Sequence, residues 1–236
     1  MIDTIICGDC LEVMPTIPDN SVDMVLADLP YGVTHCKWDS VIPLNLLWPE
    51  WLRICKGAMV FTAMQPFTST LVMSNPKWFS HDLIYYKPTT TGFLNANRMP
   101  LRAHEHILIF GKGLTFNPQF TKGKPNNSRG TYEEYKGDIY GDHNKKRSAP
   151  TTKKYPRSVI RFNRPPPPLL HPTQKPVALF EYLIRTYTNE GDTVLDPTCG
   201  SGTTAVACRK SNRHYICIEK EQEYCAIAET RIAEIL

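Results

Sequence analysis

Short apolar runs alternate along the chain with segments whose apolar residues recur every three or four positions. The runs predict buried β-strands, and the periodic segments predict amphipathic helices. The predicted strands are Thr4–Cys7, Val22–Ala27, Ala58–Thr62, Asp82–Tyr86, His106–Phe110, Thr193–Leu195 and Tyr215–Ile218. The predicted helices are Leu44–Ile54, Phe67–Met73, Val177–Tyr187, Thr203–Lys210 and Gln222–Ile235. This alternation predicts an α/β fold in which a mostly parallel sheet carries helices on both faces.

A glycine-rich turn follows the sixth predicted strand, in residues 196–204, DPTCGSGTT. Gly200 and Gly202 let the backbone turn sharply and approach a ligand closely. With Ala205 they match the spacing of a dinucleotide fingerprint, and Glu219 lies where a ribose-binding acid is expected. Asp196 disfavours a dinucleotide, because a carboxylate beside the turn would repel a pyrophosphate. S-adenosylmethionine carries an ammonium group and a ribose, so it suits both acids; a tight turn without a ligand is the alternative.

A second candidate site follows the second predicted strand, in residues 28–31, DLPY. The amino group of a nucleobase is a poor nucleophile because its lone pair is delocalised into the ring. A catalyst must therefore accept hydrogen bonds from that group. Asp28 offers a carboxylate, Pro30 a rigidly held carbonyl, and Tyr31 an aromatic face on which a base can stack. An ordinary turn at a strand end is the alternative, since Asp, Pro and Gly all favour turns.

Composition excludes several classes of protein. None of the apolar runs in the 236 residues approaches the roughly 18 residues of a membrane span, and the N-terminus lacks a secretory signal pattern. We therefore expect a cytoplasmic protein without a membrane partner. The eight cysteines lie mostly in apolar runs without zinc-like spacing, which favours reduced, buried thiols over a metal site.

Positive charge is concentrated in one segment. Residues 111–165 hold 13 Lys or Arg against 4 Asp or Glu, a net charge of +9, so the rest of the chain carries −5 of the overall +4. Aromatic residues are interleaved with these basic groups, as in surfaces that bind nucleic acids. The predicted phosphate contacts are Lys145, Lys146, Arg147, Lys153 and Lys154. A solvated, partly disordered loop is the alternative.

The two motifs together resemble the DNA amino-methyltransferases of the β arrangement, in which the catalytic motif precedes the cofactor motif. Residues 8–11, GDCL, residues 19–23, DNSVD, and residues 171–176, HPTQKP, resemble further elements of that family. Leu29 and Thr198 depart from the family's usual Pro and Phe, and Thr198 leaves one wall of the cofactor pocket in question. The resemblance covers roughly residues 1–111 and 165–236.

The resemblance implies a Rossmann-like, seven-stranded methyltransferase sheet with one antiparallel strand, for which His106–Phe110 is the candidate. It also implies a division into a catalytic half (1–110), a basic target-recognition insertion (111–165) and a cofactor-binding half (166–236). Double-stranded DNA is the implied partner, and the protein is expected to be a monomer or a homodimer.

The resemblance further implies a role for each matching residue. Asp28 and the Pro30 carbonyl would accept hydrogen bonds from the target amino group, and Tyr31 would stack on the base. The cofactor-binding residues would be Asp9, Asp28, Lys175, Asp196, Thr198, Gly200, Ser201, Gly202, Thr203 and Glu219. Among these, Asp9 would meet the adenine amino group of S-adenosylmethionine, Glu219 its ribose, and Lys175 either its carboxylate or a phosphate.

Three polar residues of the loop before the fifth predicted strand are further candidates for DNA contacts. If the target base leaves the helix, the base or its phosphate could be contacted by Asn97, Arg98 and Arg102. A plain surface loop without a ligand is an equal alternative. Within the family, Ser in place of Asp28 usually accompanies cytosine, so Asp28 favours transfer to N6 of adenine over N4 of cytosine. The rival classes are an NAD-dependent oxidoreductase, a non-catalytic DNA-binding protein and an RNA methyltransferase.

Overall fold

The structure is a computed structural model that describes residues 2–32, 39–125, 151–165, 170 and 174–235. The chain divides into two compact units. The larger unit comprises Met1–Asn117 and Ser158–Leu236, and the smaller unit comprises Pro118–Arg157.

Strands and helices alternate through the larger unit, as the sequence pattern predicts. Its strands are β1 (Thr4–Cys7), β2 (Val22–Ala27), β3 (Cys55–Ala63), β4 (Phe79–Thr91), β5 (Arg102–Phe110), β8 (Val159–Arg161), β9 (Thr193–Asp196) and β10 (His214–Glu219). Its α-helices are α1 (Cys10–Val13), α2 (Leu44–Ile54), α3 (Phe67–Ser74), α4 (Val177–Tyr187), α5 (Thr203–Lys210) and α6 (Gln222–Ala233). Two 3₁₀ turns, Met14–Thr16 and Phe93–Asn95, complete the unit's described elements.

The main sheet has the strand order β1-β10-β9-β2-β3-β5-β4-β8 in the described part of the chain. The first five strands of this order, β1, β10, β9, β2 and β3, are parallel to one another. In contrast, β5 runs antiparallel to both β3 and β4. The predicted α/β methyltransferase fold is thus confirmed, with β5 containing the predicted antiparallel segment His106–Phe110.

The strand count differs from the expected seven. The eighth strand, β8, pairs in parallel with β4 from Ile84 to Tyr86. It comes from the end of the basic segment, whose three residues Val159–Arg161 carry too little periodicity to predict a strand. The unpaired edge of β4 made this pairing possible, and an edge is a property of the sheet rather than of the local sequence.

Apolar clusters cover both faces of the sheet. Trp51 of α2 and Leu71 of α3 are fully buried on one face, where Trp51 packs against Phe61 of β3 with ring centroids 4.6 Å apart. Leu183 of α4 and Ala205 of α5 are fully buried on the other face. Strands buried on both sides explain the continuous apolar runs in the sequence.

The smaller unit contains a short antiparallel pair, β6 (Thr121–Lys122) and β7 (Lys153–Lys154). Phe120 and Tyr155 lie next to these strands with ring centroids 4.8 Å apart, and the Lys153 ammonium lies 5.6 Å from the centre of the Phe120 ring. Basic and aromatic side chains are therefore interleaved beside this pair of strands, as the sequence suggested. In neither unit is any described helix long and apolar enough to cross a membrane.

Candidate active site

The loops that follow four neighbouring parallel strands carry the acids singled out in the sequence. Asp9, Asp28, Asp196 and Glu219 lie at or just beyond the carboxyl ends of β1, β2, β9 and β10. Because these strands are adjacent and parallel, their ends meet at one edge of the sheet. The structure thus brings together residues as far apart as 9 and 219.

A cavity of about 680 Å³ lies at this edge, which is a size typical of ligand sites. Both motifs contribute to its wall: Asp28, Pro30 and Tyr31 from one, and Asp196, Thr198 and Gly200 from the other. Further lining residues from the predicted site are Asp9, Lys175, Ser201, Thr203 and Glu219. The cavity also includes Arg102 from the group of predicted DNA contacts.

The Asp28 carboxylate is held on both of its oxygens. Oδ1 accepts hydrogen bonds from the Tyr31 hydroxyl at 2.6 Å and from the Thr62 hydroxyl, and Oδ2 accepts from the Lys175 ammonium at 2.5 Å. The carboxylate therefore has a fixed orientation at the cavity wall. Each carboxylate oxygen has two lone-pair directions, so Oδ1 is fully used and Oδ2 keeps one direction for a substrate amino group.

Lys175 pairs with protein carboxylates, and its predicted contact with the cofactor's carboxylate or with a phosphate stays a prediction. Its ammonium lies 3.4 Å from Glu105 in addition to the contact with Asp28, and Lys87 lies 3.0 Å from the other Glu105 oxygen. Burial lowers the pKa of Lys175, but the charges of Asp28 and Glu105 outweigh burial and raise it. For the acid Glu105 burial acts in the opposite direction and raises the pKa, but the charges of Lys175 and Lys87 outweigh burial and bring this pKa below its usual value. Lys175 and Glu105 are therefore both ionised at neutral pH.

Tyr31 lines the cavity, and its ring contacts Phe67 and lies near the Lys175 ammonium. The ring stacks on Phe67 with a centroid distance of 5.4 Å and an angle of 30° between planes. Burial, followed by the charge of Asp28, raises the pKa of Tyr31 well above its usual value, so its hydroxyl stays protonated as a donor to Asp28. A ring fixed in this way can serve as a platform for a planar ligand.

Asp196 shapes the glycine loop from within. Its side chain accepts hydrogen bonds from the Thr198 amide at 3.0 Å and from the Thr204 hydroxyl, and the residue is only 2% exposed. Burial raises the pKa of Asp196 to about 7, although these hydrogen bonds oppose the shift. A carboxylate this buried is suited to fixing the loop's conformation. Its predicted contact with the ammonium group of the cofactor stays a prediction.

The other two acids hold backbone amides near the cavity. Glu219 accepts from the amides of Gly200 and Glu221, each at 2.8 Å. Asp9 caps α1 by accepting from the Leu11 amide at 3.0 Å, and this hydrogen bond is the main reason its pKa is lowered. Both carboxylates line the cavity and retain lone pairs that can accept hydroxyl or amino hydrogens.

The two loop glycines adopt the left-handed conformation that favours glycine. Gly200 has φ 52° and Gly202 has φ 78°. A methyl group on Gly202 would also lie 2.7 Å from the Cβ atom of Ala228 on α6. The bend that carries Ser201 and Thr203 to the cavity therefore requires glycine at position 202.

The predicted DNA contacts are spread over different parts of the chain. Asn97 and Arg98 are exposed and do not line the cavity. Lys153 and Lys154 form β7 in the smaller unit. Outside the described residues lie Lys145, Lys146 and Arg147, together with residues 171–173 of the predicted HPTQKP element.

Three further residues, not predicted from the sequence, contact the catalytic motif or Lys175. Thr62 bonds to Asp28, while Glu105 and Lys87 extend the charge network around Lys175. Glu105 could have been predicted, because it lies beside the apolar run Ile107–Phe110. Burying an acid in such a strand is costly unless a basic group pairs with it. Thr62 gave none, since threonine is common in strands.

The arrangement defines a class of protein. An S-adenosylmethionine-dependent methyltransferase combines a mostly parallel sheet with a glycine bend after one strand. At the end of the next strand it carries an acid that can bind a ribose, and the same cavity holds an acceptor for an amino group. The residues present fit that cofactor: the carboxylate oxygens of Glu219 and Asp9 can accept hydrogen bonds from its hydroxyl and amino groups, and the glycine bend lets the backbone come close to it.

The comparisons with known proteins identify the family. The model of the N6_N4_Mtase family, described as DNA methylase, matches residues 22–230, so the chain belongs to this family. The type II methyltransferases M.HpaI of Haemophilus parainfluenzae and M.HinfI of Haemophilus influenzae are 28% and 27% identical to it. These matches cover 97% and 99% of this chain, and 73% and 69% of the relatives.

Solved structures agree with this assignment. The crystal structure of the M1.HpyAVI–SAM complex has a TM-score of 0.64 and 25% identity, covering 97% of this chain and 98% of that one. The PvuII DNA methyltransferase, whose title describes it as cytosine-N4-specific, has a TM-score of 0.65 at 16% identity and so supports the fold alone. The chain is therefore a DNA methyltransferase of the N6/N4 family that uses S-adenosylmethionine.

Proposed function

We propose that this protein transfers a methyl group from S-adenosylmethionine to the exocyclic N6 of adenine at a specific site in double-stranded DNA. The observation that carries the proposal is the single cavity in which Asp28, Tyr31, Gly200 and Glu219 meet. That cavity supplies a place for a base and a place for the methyl donor side by side.

The protein's contribution to the reaction is positioning and hydrogen bonding. Bound S-adenosylmethionine supplies a methyl group that its sulfonium charge has already activated. Asp28 and the Pro30 carbonyl accept hydrogen bonds from the amino group, which directs the nitrogen lone pair away from the ring. Tyr31, backed by Phe67, stacks on the base. The methyl carbon would exchange its bond to sulfur for a bond to the amino nitrogen, the cofactor would leave as a neutral thioether, and the surplus amino proton would pass to solvent.

Lys175 acts through Asp28 in this proposal. Its ammonium holds the Asp28 carboxylate in place and offsets its charge in a partly buried site. The Asp28 oxygens are thereby aligned before a base arrives. Glu105 and Lys87 in turn fix Lys175.

Access of a base in duplex DNA to this cavity requires that the base leave the helix. Exposed basic residues, among them Arg98 of the larger unit and Lys153 of the smaller unit, would contact phosphates. The oligomeric state, monomer or homodimer, and the cytoplasmic location stay predictions.

Adenine is preferred over cytosine because of Asp28. Members of this family that act on cytosine usually carry Ser at the corresponding position of the motif, and this chain carries Asp. Both bases present an exocyclic amino group to the same acceptors, so N4 of cytosine is the alternative substrate.

The test is to incubate unmethylated genomic DNA with the protein and S-adenosylmethionine, and then to map modified bases by sequencing. N6-methyladenine at one recurring sequence is expected; N4-methylcytosine would select the alternative. Asp28→Ala should abolish methylation while DNA retention persists. No methylation by the wild type, or tight binding of NAD without binding of S-adenosylmethionine in equilibrium dialysis, would refute the proposal.

A further inference from the structure

A short loop between β4 and β5 exposes an unusual amount of apolar surface. Phe93 is 80% exposed and Leu94 is 97% exposed, and Met99 and Leu101 follow at 53% and 39%. Single exposed apolar side chains are common on proteins, but a group of four within one loop marks a binding surface. We call Phe93 and Leu94 the apolar tip.

The backbone of this loop is ordered by its own hydrogen bonds. The Asn95 amide donates to the Gly92 carbonyl at 2.9 Å, and the Ala96 amide donates to the Phe93 carbonyl at 3.0 Å, which closes a 3₁₀ turn. The Arg98 amide donates to the Asn95 carbonyl at 2.9 Å. Gly92 enters the turn with φ 91°, a conformation that favours glycine. The turn therefore holds the apolar tip out in solvent.

The loop begins and ends at the rim of the active-site cavity. Thr91, the last residue of β4, pairs with Arg102, the first residue of β5, and both line the cavity that contains Asp28 and Tyr31. The apolar tip thus projects from the strand ends that border the place proposed for the target base.

The charges around the tip suit a polyanion. Residues 92–102 contain Arg98 and Arg102 and no Asp or Glu. An apolar tip flanked by arginines matches the two surfaces of a DNA duplex, since phosphates lie outside and stacked bases lie inside. Proteins that open a base stack commonly insert Phe, Leu, Ile, Met or Pro side chains into it.

We propose that the apolar tip is a wedge that enters the base stack when the target base leaves the helix, and that Phe93 and Leu94 occupy the space it vacates. The inference rests on the proposed function, because it requires a target base that is extruded from a duplex. It assigns to the chain a surface that stabilises the opened DNA, separate from the acceptors that act on the amino group.

The test compares two duplexes that carry the sequence mapped in the methylation experiment. One is fully paired, and the other has an abasic nucleotide opposite the target base, so the pair is already broken. The variant Phe93→Ala/Leu94→Ala is expected to lose about tenfold or more in kcat/KM on the paired duplex. On the duplex with the abasic nucleotide, the loss should be less than about threefold, because the wedge has little left to open.

A direct readout of stacking accompanies the kinetics. With 2-aminopurine beside the target base, the wild type should raise fluorescence on binding the paired duplex, and the double variant should raise it less.

Met73→Ala is the matched control, since Met73 on α3 is 71% exposed and does not line the cavity. This control should behave as the wild type on both duplexes. Circular dichroism and equilibrium dialysis with S-adenosylmethionine establish that the double variant is folded and binds its cofactor.

Each other outcome overturns the wedge. Equal losses on the two duplexes would show that the tip contributes a contact unrelated to opening, and unchanged kinetics would show that it contributes nothing. Equal losses combined with a change from dimer to monomer in light scattering would assign the tip to a second copy of the chain. Methylation of neither duplex by the wild type would instead refute the proposed function, and the wedge with it.

Discussion

The Lys175 ammonium lies 2.5 Å from the Oδ2 atom of Asp28, although 147 residues separate the two in sequence. The contact links the catalytic motif to the element that precedes the cofactor strand. It is the basis of the positioning role proposed for Lys175. That role differs from holding the cofactor's carboxylate or a phosphate, and the two roles predict different kinetics.

Lys175→Met should lower kcat by about 100-fold, because Asp28 would lose its fixed orientation in the transition state. The KM for S-adenosylmethionine should change little. Steady-state transfer of a tritiated methyl group to DNA measures both constants. Lys56→Met is the control, since Lys56 also pairs with an aspartate, Asp23 at 2.9 Å, but is 53% exposed. A raised KM for the cofactor with an unchanged kcat would place Lys175 on the cofactor instead.

Glu219→Gln should raise the Kd for S-adenosylmethionine about 10- to 100-fold, because a charged acceptor near the proposed ribose is lost. Isothermal titration calorimetry measures the affinity, and retention on unmethylated DNA should not change. The exposed Glu223 on α6 provides the control variant Glu223→Gln. Wild-type affinity in Glu219→Gln would remove this residue from the cofactor site.

Asp196→Asn should change how stability depends on pH. The pKa of Asp196 is raised from 3.8 to about 7 by burial, so the folded protein binds this proton more tightly than the unfolded chain does. Its stabilising contribution is complete below about pH 4 and is lost as the pH rises through about 7. The variant lacks this loss, and should be more stable than the wild type above pH 7 by up to about 4 kcal/mol.

Denaturant unfolding without cofactor at several pH values measures this difference. The two proteins should have similar stability near pH 4 and diverge as the pH rises. A constant difference between them at all pH values would contradict the raised pKa.

Gly202→Ala should destabilise the protein by about 2–4 kcal/mol, from a left-handed backbone and a Cβ contact of 2.7 Å with Ala228. Gly113→Ala is the matched control, because Gly113 has φ 61° but no atom within 4 Å of an added Cβ. The control isolates the backbone cost, which is about 1–2 kcal/mol. Thermal unfolding compares the two variants, and an equal loss in both would mean that α6 moves to accommodate the methyl group.

Lys153→Ala/Lys154→Ala should weaken binding to DNA of any sequence and reduce the slope of log K against log salt by about 1.8. Filter binding at several salt concentrations gives the slope. Lys77→Ala, at an exposed position that does not line the cavity, is the control and should leave the slope unchanged. A wild-type slope in the double variant would exclude these two lysines as phosphate contacts.

Local patterns in the sequence are enough to predict the order of the elements and the location of the two motifs. Seven strands and the helices after them produce local periodicities, and Gly200, Gly202 and Pro30 impose local backbone constraints. The parallel sheet then required that Asp9, Asp28, Asp196 and Glu219 meet at one edge, because adjacent parallel strands end together. This much follows from patterns a few residues long.

The contacts of each of these acids could not be predicted in the same way, because they depend on how the elements pack. Asp28 pairs with Lys175 and Thr62, Glu105 supports Lys175, and Asp196 turns into the glycine loop. The eighth strand also depended on the open edge of β4. A contact between side chains far apart in the sequence depends on how whole elements pack, and neither partner carries a local pattern that specifies the other.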